Sequence, residues 1–109
     1  MARDAGADGI SVINTVPGSL THEDGHQRLG HGAGGVSGPA LLAIGVRAVG
    51  RVLERTGGMP VIGVGGVTTP ADARQYLRAG ASLVAIGTAT LADPRVPERI
   101  IDHLERDGV

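Results

Sequence analysis

The chain has 109 residues, a formal net charge of -1, no cysteine and, since all ten of its Lys+Arg residues are arginine, no lysine. That length suits one small domain, and the near-neutral charge disfavours a nucleic-acid or anionic-membrane surface. Without cysteine there is no disulfide, thiolate metal site or thiol nucleophile, and no apolar stretch is long enough to span a membrane.

The opening segment, residues 2–6, reads as the tail of a helix. It has no signal-peptide-like apolar region, so a cytoplasmic protein is expected. Ile10-Ser-Val-Ile13 reads as a strand. Ile13-Asn14-Thr15 follows at its C-terminal end, where an Asn offers both a donor and an acceptor to an amide-like edge. Asn-Thr is also ordinary turn chemistry. A long polar, Gly-rich loop comes next, carrying His22, His26 and His31 beside Glu23 and Asp24. Loop ligands without fixed geometry make a poor metal site, so no metal is expected and the loop reads as solvated. Gly34-Gly35-Val36-Ser37-Gly38-Pro39-Ala40 then leads into a helix predicted over 39–56, with Leu41, Leu42, Ile44, Val46, Val49, Val52 and Leu53 at helical spacing.

Val61-Ile-Gly-Val64 and Leu83-Val-Ala-Ile86 are further strands. Neither alternates polar with apolar residues, which predicts burial on both faces. A helix is predicted over 70–79 and another over 94–106. Each of the three helices opens with proline, which fits the first helical position because its missing N–H has no partner there anyway. Thr69 and Asp93 stand where N-caps belong, and Asp72 completes a capping-box spacing from Thr69. Gly57-Gly58 and Gly80 supply the stops. Glycine is 19 of the 109 residues and Tyr76 is the lone aromatic, so Val, Ile, Leu and Ala must build the core.

Strands joined through helices are usually parallel. Three such strands alone leave two open sheet edges, and an eight-stranded barrel needs on the order of 200 residues or more. The pattern therefore reads as about three βα units of an α/β (β/α)8 TIM barrel. A small stand-alone domain that hides its edges by oligomerising is the alternative.

Two glycine motifs carry the chemistry. Gly63-Val64-Gly65-Gly66 ends one strand and Gly87-Thr88 ends the next. Residues without Cβ let backbone N–H groups approach a phosphate closely, and the helix from Pro70 is expected to aim its positive end at the same anion. Loops after the last two strands of a barrel often form such a site. No G-x-G-x-x-G opens the first helix, which argues against a dinucleotide fingerprint.

Taken in order, Ile13-Asn14-Thr15, Gly34–Ala40, Pro60–Gly66 and Gly80–Ala89 resemble the successive C-terminal signatures of the dihydroorotate dehydrogenase family. The Gly87-Thr88-Ala89 ending is similar to class 1 members and Ser37-Gly38-Pro39-Ala40 to subclass 1B. The resemblance implies a C-terminal portion of a barrel that binds FMN and oxidises dihydroorotate to orotate in pyrimidine (UMP) biosynthesis. It implies that Gly65, Gly66, Gly87 and Thr88 hold the FMN phosphate, that Gly38 and the backbone of Ile13 lie along the flavin, and that Asn14 and Thr15 hydrogen-bond the substrate. It further implies an electron-transfer subunit with NAD, or a quinone or fumarate acceptor, and either an oligomer or complementation by the rest of the barrel. Class 1 members use a cysteine base and a lysine at the flavin. This chain has neither, so no catalytic residue is assigned to it, and alone it is expected to be inactive and to bind FMN weakly. A dihydropyrimidine dehydrogenase domain shares these motifs, and a non-catalytic, barrel-derived module is the third reading.

Overall fold

The computed structural model describes residues 2–108. In chain order the elements are β1 (Ile10–Val12), β2 (Val16–Gly18), β3 (Gly34–Val36), a 3-10 turn (Pro39–Leu41), α1 (Leu42–Thr56), β4 (Val61–Val64), α2 (Pro70–Arg78), β5 (Leu83–Ala85), α3 (Thr88–Ala92) and α4 (Val96–Asp107). The chain opens as a helix tail does. Gly6 N–H donates to the Arg3 carbonyl at 3.1 Å and Ala7 N–H to the Ala2 carbonyl at 3.0 Å, while Gly6 takes φ 98°. This pairing is the Schellman arrangement that closes a helix on glycine. It recurs at the end of α2, where Gly80 and Ala81 donate to Leu77 and Tyr76.

β1, β4 and β5 form a parallel sheet in the order β1-β4-β5. Ile10 pairs with Val61 and Val12 with Gly63; Ile62 pairs with Leu83 and Val64 with Ala85. Parallel neighbours require a crossover, and α1 and α2 provide it. Both helices and α4 lie on one sheet face. Their apolar stripes bury Val12, Val49, Val61, Val67, Ala73, Tyr76, Ala81 and Ile100 in one core.

The other sheet face is open. The non-alternating runs of β4 and β5 predict burial on both faces, but Leu83 is 62% exposed and its partner Ile62 36%. No element among the described residues covers the side from which these residues project, whereas in a barrel that side turns inward. Consistent with an open slab, the radius of gyration is 16.0 Å, against the roughly 13 Å of a compact domain this long.

Three local features differ from the sequence reading. The long loop is a hairpin, with β2 and β3 antiparallel and Pro17 opposite Gly35. Its tip carries the exposed His22, His26 and His31, with His26 Nδ1 3.0 Å from Asp24 Oδ2. No group of three or more His, Cys, Asp or Glu among the described residues could hold a metal ion. Second, Pro39 opens the 3-10 turn, and α1 proper starts at Leu42. Third, Asp93 is the C-cap of the short α3, not the N-cap of the last helix, which begins at Val96 with its proline, Pro97, in the first turn. Asp93 still serves the junction. Its carboxylate accepts the Arg95 N–H at 3.0 Å and its carbonyl accepts the Val96 N–H at 3.2 Å. The Val12–Ile13 peptide is cis. No helix among the described residues is long and apolar enough to cross a membrane.

Candidate functional site

The C-terminal ends of the three parallel strands open onto a cavity of about 360 Å³. Ile13, Asn14 and Thr15 follow β1, Gly65 and Gly66 follow β4, Gly87 and Thr88 follow β5, and Gly38 leads into the 3-10 turn. All eight residues singled out from the sequence line this one cavity. Strands in parallel register deliver the loops that follow them to the same end of the sheet, and this is why the motifs meet although they are spread over most of the chain.

Gly65 and Gly66 have φ of 125° and 76°, a region that disfavours side chains. A Cβ on Gly66 would lie 2.6 Å from the Leu42 N and 2.9 Å from its Cα. The turn can therefore run tight against the start of α1 only because both positions are glycine. Among the described residues, the Gly66 and Val67 N–H groups donate to no protein acceptor. Beneath the turn, the Tyr76 hydroxyl donates to the Gly65 carbonyl at 2.7 Å. Burial raises the pKa of that phenol, so it stays a neutral donor.

The start of α2 is capped by its own side chains. Thr69 accepts the Asp72 N–H at 3.2 Å. In return the Asp72 carboxylate accepts the Thr69 N–H at 3.0 Å, the Thr68 N–H at 3.0 Å and the Thr68 hydroxyl at 2.9 Å. The capping box thus takes up the Thr68, Thr69 and Asp72 N–H groups. Burial works against the Asp72 charge, but the hydrogen bonds from Thr68 and Thr69 outweigh it and hold the carboxyl below its ordinary value. With Thr68 committed to Asp72, the donors this side offers to a ligand are the backbone N–H groups of Gly66 and Val67.

The second turn is looser. Gly87 caps α3, which is five residues long, and a Cβ on Gly87 would meet nothing within 4 Å. Its carbonyl accepts the N–H and hydroxyl of Thr90. The Thr88 hydroxyl and N–H, on the cavity wall, have no protein acceptor among the described residues. Gly38, at φ 99° and ψ -173°, holds a conformation essentially reserved for glycine, and its carbonyl accepts the Leu41 N–H at 3.0 Å. Asn14 is half committed: its Oδ1 accepts the Thr15 N–H at 2.8 Å. The turn reading thus holds for its acceptor, while its amide NH₂ is left to donate.

No ionisable side chain of the described residues lines the cavity. An anion here would be held by backbone N–H groups and a hydroxyl. Sequence reasoning found the glycines but missed the Val67 N–H and the phenol beneath them. That Tyr76 is the lone aromatic of the chain was the available signal for the latter.

The dihydroorotate dehydrogenase family profile matches residues 1–107. A Solibacter usitatus protein provisionally named dihydroorotate dehydrogenase A (fumarate) is 44% identical over all of this chain and 37% of its own length. The dihydroorotate dehydrogenase B (NAD(+)) catalytic subunit of Cutibacterium acnes is 46% identical over 94% of this chain and 33% of its own. The crystal structure of the Eimeria tenella enzyme in complex with ferulenol superposes with a TM-score of 0.73 at 32% identity, over 98% of this chain and 30% of that one. The chain spans about a third of the length of these relatives, and its three parallel strands with their helices correspond to part of a (β/α)8 barrel. The chain belongs to the dihydroorotate dehydrogenase family.

Proposed function

We propose that this chain forms the phosphate-gripping wall, and part of the substrate wall, of an FMN-dependent dihydroorotate dehydrogenase. The observation that carries the reading is the convergence of both glycine turns, Gly38 and Ile13-Asn14-Thr15 on one cavity. The residues fit FMN. The Gly65-Gly66 turn lines the cavity without side chains, and its free N–H groups suit a phosphate. Gly66, Val67 and Thr88 would donate to that phosphate, with Gly87 keeping the second turn close. Gly38 and the Ile13 backbone would flank the flavin ring. The Asn14 amide and the Thr15 hydroxyl would meet the pyrimidine.

When bound, FMN supplies the hydride acceptor for oxidation of dihydroorotate to orotate. The proton lost in the same oxidation requires a base, and none of the described residues that line the cavity supplies one. The chain's residues bind and orient; the proton is taken by a group from outside this wall. The open face beside Ile62 and Leu83, with the unpaired edges of β1 and β5, suits further parallel strands of the barrel. We place the reaction in pyrimidine biosynthesis in the cytoplasm. The likeness of Ser37–Ala40 to subclass 1B favours an electron-transfer partner subunit and NAD as the final acceptor, over fumarate or a quinone.

The substrate half of this reading is tested by adding orotate to the FMN-saturated chain and following NMR signals. Perturbation of the Asn14 side-chain amide and of Thr15 is expected. Perturbation confined to the hairpin tip around His22 and His26 would contradict it.

A further inference from the structure

We infer that Tyr76 is the positioning residue of the first glycine turn, setting the direction in which the Gly66 N–H points and so the ability of the site to distinguish a phosphorylated ligand from its unphosphorylated counterpart. The inference rests on the proposed phosphate site and goes beyond it to a residue that does not line the cavity.

The Tyr76 side chain is completely buried, and its hydroxyl donates to the Gly65 carbonyl at 2.7 Å. The Gly65–Gly66 peptide is trans, since the one cis bond among the described residues is Val12–Ile13. In a trans peptide the C=O and the following N–H point in opposite directions. A carbonyl held down on the phenol therefore turns the Gly66 N–H up, away from the core and into the cavity that Gly66 lines. Two glycines have few steric barriers to rotation, so without this anchor the peptide can flip and present an oxygen where the anion needs a hydrogen.

The surroundings are shaped to admit this hydroxyl. A Cβ on Gly63 of β4 would collide with the Tyr76 ring, and a Cβ on Gly45 of α1 would collide with its hydroxyl. Glycine inside a helix is disfavoured relative to alanine; here Gly45 leaves the room through which the phenol reaches Gly65. Apolar filling alone would be served by a phenylalanine. The hydroxyl, its gap at Gly45 and its acceptor at Gly65 together specify a tyrosine.

The test compares the 109-residue chain with its Tyr76→Phe variant, which keeps the ring and loses only the hydroxyl. Both are titrated with FMN and with riboflavin while amide signals are followed by NMR. Loss of one hydrogen bond to a buried carbonyl corresponds to about tenfold. We expect FMN to bind about tenfold more weakly to the variant, riboflavin to bind both equally, and the Gly66 amide to lose its FMN-induced shift. Equal FMN affinity in the two proteins would overturn the inference. So would an equal weakening of FMN and riboflavin, which would mark Tyr76 as a packing residue only. A wild-type chain that does not prefer FMN to riboflavin would overturn the phosphate reading itself, and this inference with it.

Discussion

The two glycine turns at the sheet's C-terminal end have similar sequences and opposite construction. After β4, Gly65 and Gly66 adopt positive φ, press on the backbone of Leu42, are held from below by Tyr76, and run into the capping box at the start of α2. After β5, Gly87 has open space around it, leads into a five-residue helix with no side-chain cap, and both Gly87 and Thr88 are exposed. The difference teaches that a glycine in a phosphate-like motif can serve in two ways. In the first turn it is required by the fold itself. In the second nothing in the described chain excludes a Cβ, and a requirement for glycine is expected to show only when a ligand is present.

Substitutions sharpen this contrast. Gly66→Ala should be the most damaging, because it combines an unfavourable φ with a backbone collision at Leu42. A loss of about 3 kcal/mol in chemical denaturation is expected. A stability close to wild type would show that the turn relaxes and is not fixed by packing. Asp72→Ala removes the acceptor of Thr68 and Thr69 and should cost about 1 to 2 kcal/mol. Its pH signature has a defined sign. The folded carboxyl lies below its ordinary value of 3.8, so its contribution is complete above that value and is lost as pH falls through the lower folded value. Asp72→Asn should flatten that part of the acid-unfolding curve, and an unchanged curve would contradict the capping role. Smallest in stability is Gly87→Ala, with a change within about 0.5 kcal/mol, since nothing lies within 4 Å of the added Cβ. The same variant should weaken FMN binding, and a variant that binds FMN as wild type does would remove the second turn from the site. Independently of these, the 109-residue chain alone should show no dihydroorotate oxidation, and measurable turnover would overturn the view that its wall only binds and orients.

The same contrast explains what could be read in the sequence. The strand starts, the capping box at Thr69 and Asp72 and the stops at Gly57 and Gly80 are local devices, and the structure has them where the sequence placed them, while β1 and β5 each end one residue earlier, at Val12 and Ala85. All eight predicted site residues share a cavity: seven follow the parallel strands β1, β4 and β5, and Gly38 reaches it from the end of the β2-β3 hairpin. The hairpin was not legible. Val16-Pro17-Gly18 and Gly34-Gly35-Val36 are poor strand formers by composition, and they pair with each other across a long intervening loop. Asp93 was misplaced because a five-residue helix intervenes, too short to leave a periodic signature. The free sheet face was hidden for another reason: a non-alternating run such as Val61–Val64 encodes burial on both sides but not which other strands provide it. Tyr76 fits the helical apolar pattern of α2, so its second role, beneath Gly65, could not be separated from packing until the turn was in view.

The central claim is that the two turns act on one anion, and a single titration addresses it most directly. The wild-type chain is titrated with FMN and, separately, with riboflavin, with backbone amide shifts as readout. FMN should bind more tightly than riboflavin, with its extra shifts at Gly66 and Val67 in the first turn and at Thr88 in the second. Equal affinities for the two flavins, or shifts at one turn without the other, would contradict it.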